Sequence, residues 1–337
     1  MKKPRLLRRS LLVLMGLCLL LSFGVLTAPR ATRAAPAVSR STLSLPAKDR
    51  MPILPRALAG SNQLSVPNNT DSLYESTTDA ATLYNQGCTA ATGPAGLIIL
   101  DWGQPVYLGN GVYGTYDFGG HDDSVASITK AIDSFAQGVW GCHNGSTNLA
   151  VAAGESNYYS GKAIPRTVSA WTADGHHWGQ MVNNIQSYIA TNHYNSVVGA
   201  YGAGDLEVEW EGFKLTKALV DGYNHATTRV FFDFGDDSPG YWTNYQVWYV
   251  AYGAKDNLPL PEIYFNADAT YDWEPLSIWA CSSEGAPIYF RGTMAENVQG
   301  ENTPAQAFTA MYNAEQSNSC TAAVSSGLIF STEIFYA

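Results

Sequence analysis

The sequence predicts an α/β protein, a (β/α)8 barrel of the TIM type with some irregularity, and three observations carry that expectation. Short apolar runs alternate with longer amphipathic segments from Leu97 onward, which is the pattern of βα units on a parallel sheet. Seven such runs with six helical patterns between them occupy about 267 residues, and a closed barrel of this type needs about 250. The turn after the first run, Asp101-Trp102-Gly103-Gln104-Pro105, lacks the glycine fingerprint of a dinucleotide-binding open sheet, the other doubly wound architecture.

Three segments follow one another along the chain. Residues 1–35 combine a basic start, the apolar run Leu11 to Ala28 and an Ala/Pro-rich stretch, which reads as a secretory signal cleaved near Ala34 or Ala35. Arg8-Arg9-Ser10 resembles a twin-arginine start, but the Leu-rich core fits the general route better. Leu17 ahead of Cys18 argues against a lipoprotein box. The expected protein is secreted, with no stable membrane partner once the signal is cleaved; a retained segment, long enough to span a bilayer, would leave it at the cell surface. Residues 36–70 carry Pro36, Pro46, Pro52, Pro55 and Pro67 with no sustained period and read as a Pro/Ser-rich linker or arm. Residues 71–337 form one domain.

Within that domain the expected strands are 97–100, 149–152, 197–201, 230–232, 262–265, 287–290 and 327–330. Val125, Ile128, Ile132, Phe135 and Val139 share one helical face, as do Trp178, Met181, Val182, Ile185 and Ile189. A third face carries Trp242, Tyr245, Tyr249 and Tyr252. Asp123 and Asp174 stand where they would cap the first two helices, and Thr303-Pro304-Ala305-Gln306 has capping-box spacing with Pro at the first helical position. The eighth strand falls near Val112 to Asp117 or Val168 to Trp171, or the barrel is irregular.

Cysteine usage agrees with export. Beyond Cys18 the chain has Cys88, Cys142, Cys281 and Cys320, with no C-x-x-C spacing, which favours two disulfides over a metal site. In a barrel, helices end and strands begin at the bottom. Cys88 precedes the first expected strand and Cys142 ends the first helix, while Cys281 and Cys320 end two consecutive late helices. The topology therefore pairs Cys88 with Cys142 and Cys281 with Cys320.

Charge is uneven. Seven of the 19 Lys and Arg fall in the first 35 residues, which hold no acid, so the rest carries 12 bases against 29 acids. With no basic stripe, nucleic acid is excluded as a partner. Acids and amides, with one arginine, concentrate just past the apolar runs, at Asp101, Glu155, Asn157, Asp205, Glu207, Asp233, Asn266, Arg291 and Glu333. In a barrel these are the C-terminal strand ends, where the active site of this fold lies. Asp205, Glu207 and Glu209 alternate with apolar residues, so an extended backbone points them to one face. Their repulsion would hold one carboxyl protonated as a general acid, with Asp101 or Asp233 as base or nucleophile, the two-carboxylate arrangement of glycoside hydrolysis. Trp102, Tyr158, Tyr159 and Trp210 sit in the same loops and suit sugar faces, with Gln104 beside them; Trp242 and Trp273 read as buried helix residues.

These residues resemble a family. The βα pattern, Asp101 ending the first run and D-x-E at Asp205-Leu206-Glu207 resemble the α/β-barrel glycoside hydrolases, most nearly the family 25 lysozyme-like barrels that cut peptidoglycan. The wider stretches Ile99-Leu100-Asp101-Trp102-Gly103-Gln104-Pro105 and Gly204-Asp205-Leu206-Glu207 are similar to a group of secreted bacterial proteins with no assigned activity. The resemblance implies a polysaccharide or peptidoglycan hydrolase with Glu207 as acid and Asp101 and Asp205 as supporting carboxylates. Loop lengths and the extra acids Glu209 and Glu211 depart from the lysozyme pattern.

The expected substrate-binding set is Trp102, Gln104, Glu155, Asn157, Tyr158, Trp210, Asn266 and Arg291, with no metal and no cofactor, in a monomer acting on a carbohydrate or cell-wall glycan. A non-catalytic glycan-binding barrel is the alternative. A metal-assisted hydrolase using His176, His177 and acids is a third, although a capped helix end explains those histidines more simply. Asp233-Phe234-Gly235-Asp236-Asp237 is acidic enough for calcium but lacks the EF-hand pattern.

Overall fold

The computed structural model describes residues 69–159, 164–238 and 240–337; the signal-like segment and most of the Pro/Ser-rich arm lie outside them. Eight parallel strands form the barrel wall: β1 (Asn69–Tyr74), β2 (Gly96–Asp101), β6 (Leu149–Ser156), β7 (Val198–Asp205), β8 (Phe231–Asp233), β9 (Asn257–Pro259), β10 (Gly292–Glu296) and β11 (Phe330–Tyr336). Pairing runs β10-β11-β1-β2-β6-β7-β8-β9. The ring closes where the chain past β9 reaches β10: Met294 N donates to Pro261 O and Ile263 N to Met294 O, each at 2.9 Å. This is a (β/α)8-type barrel.

Each crossover between neighbouring wall strands carries a helix. They are α1 (Ala80–Thr92), α2 (Val125–Cys142), α3 (Val168–Thr191), α4 (Phe213–Ala226), α5 (Asn244–Trp248) continued by a π-helical turn, α6 (Glu274–Ser283) and α7 (Pro304–Gln316). A small antiparallel sheet, β3 (Gln104–Gly109), β4 (Val112–Tyr116) and β5 (Asp122–Ser124), is inserted between β2 and α2. Its hairpin turns at Asn110-Gly111, both with positive φ, as a two-residue turn of the tight primed type requires.

Side-chain alternation sorts the wall into two faces. Ile98, Leu100, Val151, Ala153, Val198 and Ala200 pack with Leu83, Ile132, Phe135, Trp178 and Leu219 of the helices. Leu97, Ile99, Ala150, Ala152, Tyr201, Ala203 and Phe232 pack together in the other cluster, on the inner face. The face of Ile128, Ile132, Phe135 and Val139 is buried as expected. Helix pairs approach closely through glycine: a Cβ at Gly87 would come within 2.0 Å of Phe135 O, and one at Gly138 within 2.0 Å of Tyr84 O.

The eighth strand is β1, not the 112–117 or 168–171 segments, which form β4 and the start of α3. β1 reads Asn-Thr-Asp-Ser-Leu-Tyr, with Thr70, Ser72 and Tyr74 buried, so no apolar run announces it. Two of its inner side chains, Thr70 and Ser72, bond instead of packing as hydrocarbon: Ser72 Oγ accepts from Ile99 N at 2.9 Å and meets Thr332 Oγ1 at 2.7 Å, while Tyr74 joins the core. The 287–290 and 327–330 runs lead into β10 and β11 rather than forming them. Ser124 and Thr167, not Asp123 and Asp174, cap α2 and α3, whereas the Thr303 capping box forms.

Cys88 is bonded to Cys142, and Cys281 to Cys320, with Cα atoms 5.0 and 6.5 Å apart. The first ties α1 to α2 and the second ties α6 to the turn after α7. Two disulfides fit an oxidising compartment, and no helix among the described residues is long and apolar enough to cross a membrane. Replacing Cys88 and Cys142 together with Ser is expected to lower stability by about 2–4 kcal/mol, read as a lower urea midpoint with an unchanged native far-UV spectrum.

Candidate active site

The inner rows lead directly to the carboxylates. Asp101 continues the row of Leu97 and Ile99, and Asp205 that of Tyr201 and Ala203, so both point to the barrel axis at the C-terminal strand ends. Past β7 the chain is held by an amide: Asn157 Nδ2 donates to Glu207 O at 2.9 Å, and Glu207 N donates to Asn157 Oδ1 at 3.0 Å. Asn157 also donates to Thr216 Oγ1 at 3.0 Å. Expected to bind substrate, Asn157 is completely buried and holds Glu207 in place.

A second restraint comes from β8. Gly235 lies against Leu206, where an added Cβ would meet Leu206 O at 2.3 Å and Leu206 N at 2.6 Å. Gly235 O in turn accepts from Glu262 N at 3.4 Å. One glycine thus brings the loop after β7 beside the continuation of β9. The result is a group of three buried carboxyls, Asp205, Glu207 and Glu262, with one oxygen from each within 4.8 Å of the others. This is the one such group of His, Cys, Asp and Glu among the described residues that is arranged to hold a metal ion, and its all-oxygen donors would suit a hard cation.

Glu262 is the residue that sequence reasoning missed. It stood at the start of an expected strand over 262–265, at the bottom of the barrel. The wall pairing actually begins at Asn257 and runs through Pro259 and Pro261, and the two prolines mask the run. Glu262 therefore lies at the top. Glu75, directly after β1, was missed for the same reason as its strand. It is buried, and its pKa is pushed up to about 8 by burial and, more weakly, by the charges of Asp101 and Asp117, with the Gln86 hydrogen bond opposing.

The other expected residues divide by location. Asp233 follows Phe231 on a wall strand, and its carboxylate accepts from the backbone amides of Gly235, at 3.3 Å, and Leu206. Burial pushes it up to about 7, and its contacts brace the two loops. Glu155 alternates with Val151 and Ala153 on the outer face and meets Asp174 of α3, away from the axis. Trp102 is fully buried, its Nε1 donating to Thr77 O at 3.3 Å, so it stacks on no ligand. Gln104 begins β3 and is buried. Asn266 is exposed at the start of the helical segment beyond Glu262. Arg291 immediately precedes β10, donates to Pro259 O through its backbone and stacks over Tyr289, which puts it at the bottom of the barrel. Glu333 is mid-strand in β11, opposite Asp71 rather than at the mouth. His176 and His177 lie inside α3, His177 stacking on Tyr113, so they neither begin a helix nor join the acidic group.

Beside Glu207 the surface opens into a cleft of about 400 Å³ lined by Arg166, Glu209, Trp210, Phe213, Trp242 and Gln246, among others. Trp210 meets the exposed Tyr158 edge-on, with ring centroids 5.3 Å apart. Arg166 donates to Glu211 at 2.6 Å and stacks over Tyr159. Trp242 lines this cleft, half-buried, while Trp273 is buried as expected.

No family model and no curated protein sequence matches the chain. Among solved structures it is similar to a GH18 chitinase from Pseudoalteromonas aurantia, with 10% identity over 79% of this chain and 93% of that one and a TM-score of 0.37. An engineered protein matches at 13% identity over 77% of this chain and 51% of its own, TM-score 0.34. An endo-1,4-beta-mannanase from Rhizomucor miehei matches at 11% identity over 81% and 89%, TM-score 0.32.

Two predictions follow the geometry. Gly235→Ala should separate the loops and cut any activity of the mouth by about tenfold or more, since misplacement by an ångström has such effects; the check is activity beside an unchanged near-UV spectrum. Burial pushes both Glu155 and Asp174 well up, and the charge of Asp174 adds to the rise at Glu155. Their folded-state pKa values lie above the ordinary carboxyl value of about 4. Their stabilising effect is therefore full below that value and lost as pH rises through the raised folded-state values. Thermal melts should give a higher Tm at about pH 5 than at about pH 9, and Asp174→Asn should raise the Tm at the alkaline end.

Proposed function

We propose that the chain is an exported glycoside hydrolase acting at the mouth formed by Asp205, Glu207 and Glu262. The observation that carries this reading is the convergence of three buried carboxyls within 4.8 Å at the end of the barrel where enzymes of this fold keep their chemistry. Buried and so close together, they favour a mixed protonation state. Glu207, fixed at its backbone by Asn157, protonates the glycosidic oxygen as that bond breaks. Ionised Glu262 attacks the anomeric carbon from the other side, and Asp205 holds the proton balance between them. Water then cleaves the glycosyl ester, with Glu207 taking its proton. Direct attack by Glu262 makes this a retaining mechanism, for which the two carboxyls stand about 5–5.5 Å apart, whereas inverting enzymes need about 6.5–9.5 Å. The basic, apolar N-terminal segment and the two disulfides support export.

A barrel that binds glycan without cutting it is the second reading. The small exposure of Asp205, Glu207 and Glu262, at 1, 5 and 3%, favours it, because a reacting sugar needs access that these side chains barely offer.

Release of reducing ends from neutral, acidic and amino-group polysaccharides and from peptidoglycan tests the proposal. Wild type should cleave at least one polymer, and Glu207→Gln and Glu262→Gln should each lose about 10²–10⁴-fold. Equal rates in wild type and Glu207→Gln would remove Glu207 from the mechanism, and no cleavage of any polymer would leave the binding reading.

A further inference from the structure

The exposed aromatic rings are gathered at one end of the barrel. Among the described residues they are seven tyrosines, Tyr107, Tyr158, Tyr159, Tyr241, Tyr245, Tyr271 and Tyr336. Tyr336 stands at the C-terminal end of β11. Each of the others lies in a connection that leaves the C-terminal end of β2, β6, β8 or β9, or, for Tyr245, in the first turn of the helix which that connection enters. The four exposed Leu and Val side chains fall in the connections after β2 and β10 and in the first turn of α3. The segments that lead from helices back into strands, at the other end, hold none of these residues among those described. Single apolar side chains scattered over a surface need no explanation, whereas a set confined to one end does.

The rings also surround the mouth instead of following one groove. Along the wall they belong to β11, β2, β6, β8 and β9, and β2 and β9 are four strands apart in the ring of eight, so the connections carrying Tyr107 and Tyr271 start from opposite sides. An oligosaccharide lying in one groove meets rings of neighbouring connections, while contact with rings all round the mouth needs a broad partner. A tyrosine offers a flat apolar face with a hydroxyl at its tip, which suits a sugar ring with its apolar face and its rim of hydroxyls. No exposed Phe, Trp, Ile or Met joins the set among the described residues. It therefore lacks the deep apolar side chains of a membrane-surface anchor and the Phe, Trp and Met that enrich the core of a protein interface. We propose that the mouth end of the barrel is an adsorption face for an insoluble glycan, in which polymer chains packed side by side meet the tyrosines round the mouth together and one chain lies over Asp205, Glu207 and Glu262. The inference rests on the glycan reading above and names its substrate class, a packed polymer in preference to a dissolved oligosaccharide.

Co-sedimentation of the full chain with particles of cellulose, of chitin and of peptidoglycan, with neutral lipid vesicles as the comparison, tests it. Wild type should pellet with at least one of the glycans and stay in the supernatant over the vesicles. Tyr107→Ala combined with Tyr271→Ala should lower the partition coefficient about tenfold, the equivalent of about 55 Å² of lost apolar contact. Tyr271→Ala alone, at the most exposed of the rings (73%), should show part of that loss. Tyr107→Phe combined with Tyr271→Phe should keep most of the adsorption because the rings remain, and an unchanged Tm in each variant separates these effects from misfolding. Glu207→Gln should adsorb as wild type does. Adsorption to none of the particles, adsorption that the Ala variants do not reduce, or equal pelleting with the vesicles would each overturn the proposal. Cleavage of a soluble oligosaccharide that is lost in Glu207→Gln, without adsorption, would sink this inference and leave the hydrolase reading standing. Tyrosine-dependent adsorption without cleavage of any glycan would do the reverse.

Discussion

Asn157 donates to the carbonyl of Glu207 and accepts from its amide, so the wall continues past β7 through a side chain where the backbone ladder has ended. A buried amide used on both sides leaves little freedom, because losing either bond would strand a buried polar group at about 1–3 kcal/mol. Gly235 supplies the complementary restraint, admitting the Leu206 backbone to a distance no Cβ would allow. Between these contacts the D-x-E segment has one course, and Glu262 is carried to it by the hydrogen bond to Gly235 O. The acidic group of the mouth is a consequence of backbone packing between β7, β8 and the continuation of β9.

Much of the wall was legible because its strands are apolar on both faces, as parallel strands under helices must be. Runs at 97–100, 149–152, 197–201 and 230–232 lie on or beside β2, β6, β7 and β8, and the cysteine pairs followed from which ends of the helices share the bottom. β1 was illegible for the opposite reason: Thr70, Ser72 and Tyr74 fill its inner row, and the first two satisfy their hydroxyls on Leu97 O and Thr332. Nothing in a polar hexapeptide next to a Pro-rich arm signals a central strand. Pro259 ends β9 and Pro261 lies in its continuation; these prolines displaced the expected strand by several residues and hid Glu262.

The mouth shows the same division. Asp101, Asp205 and Glu207 could be placed from strand ends alone, because alternation decides which side of the wall a residue faces. Glu155 fails that test by one position: it occupies the outer row with Val151 and Ala153 and pairs with Asp174 in the helix layer. Trp102, adjacent to an acid in sequence, is a core residue by the same rule, packing with Leu100 and Ile98. Position past a strand identifies an end of the barrel, while the parity of the residue decides whether it reaches the axis.

The proposed attack of Glu262 on the anomeric carbon, with Glu207 as acid, is a retaining step. Proton NMR of the first sugar product, recorded before mutarotation, tests this most directly. Retention predicts an initial anomer of the same configuration as the bond cleaved. An inverted anomer would require carboxyls about 6.5–9.5 Å apart and would contradict the assignment of Glu207 and Glu262 as the reacting pair.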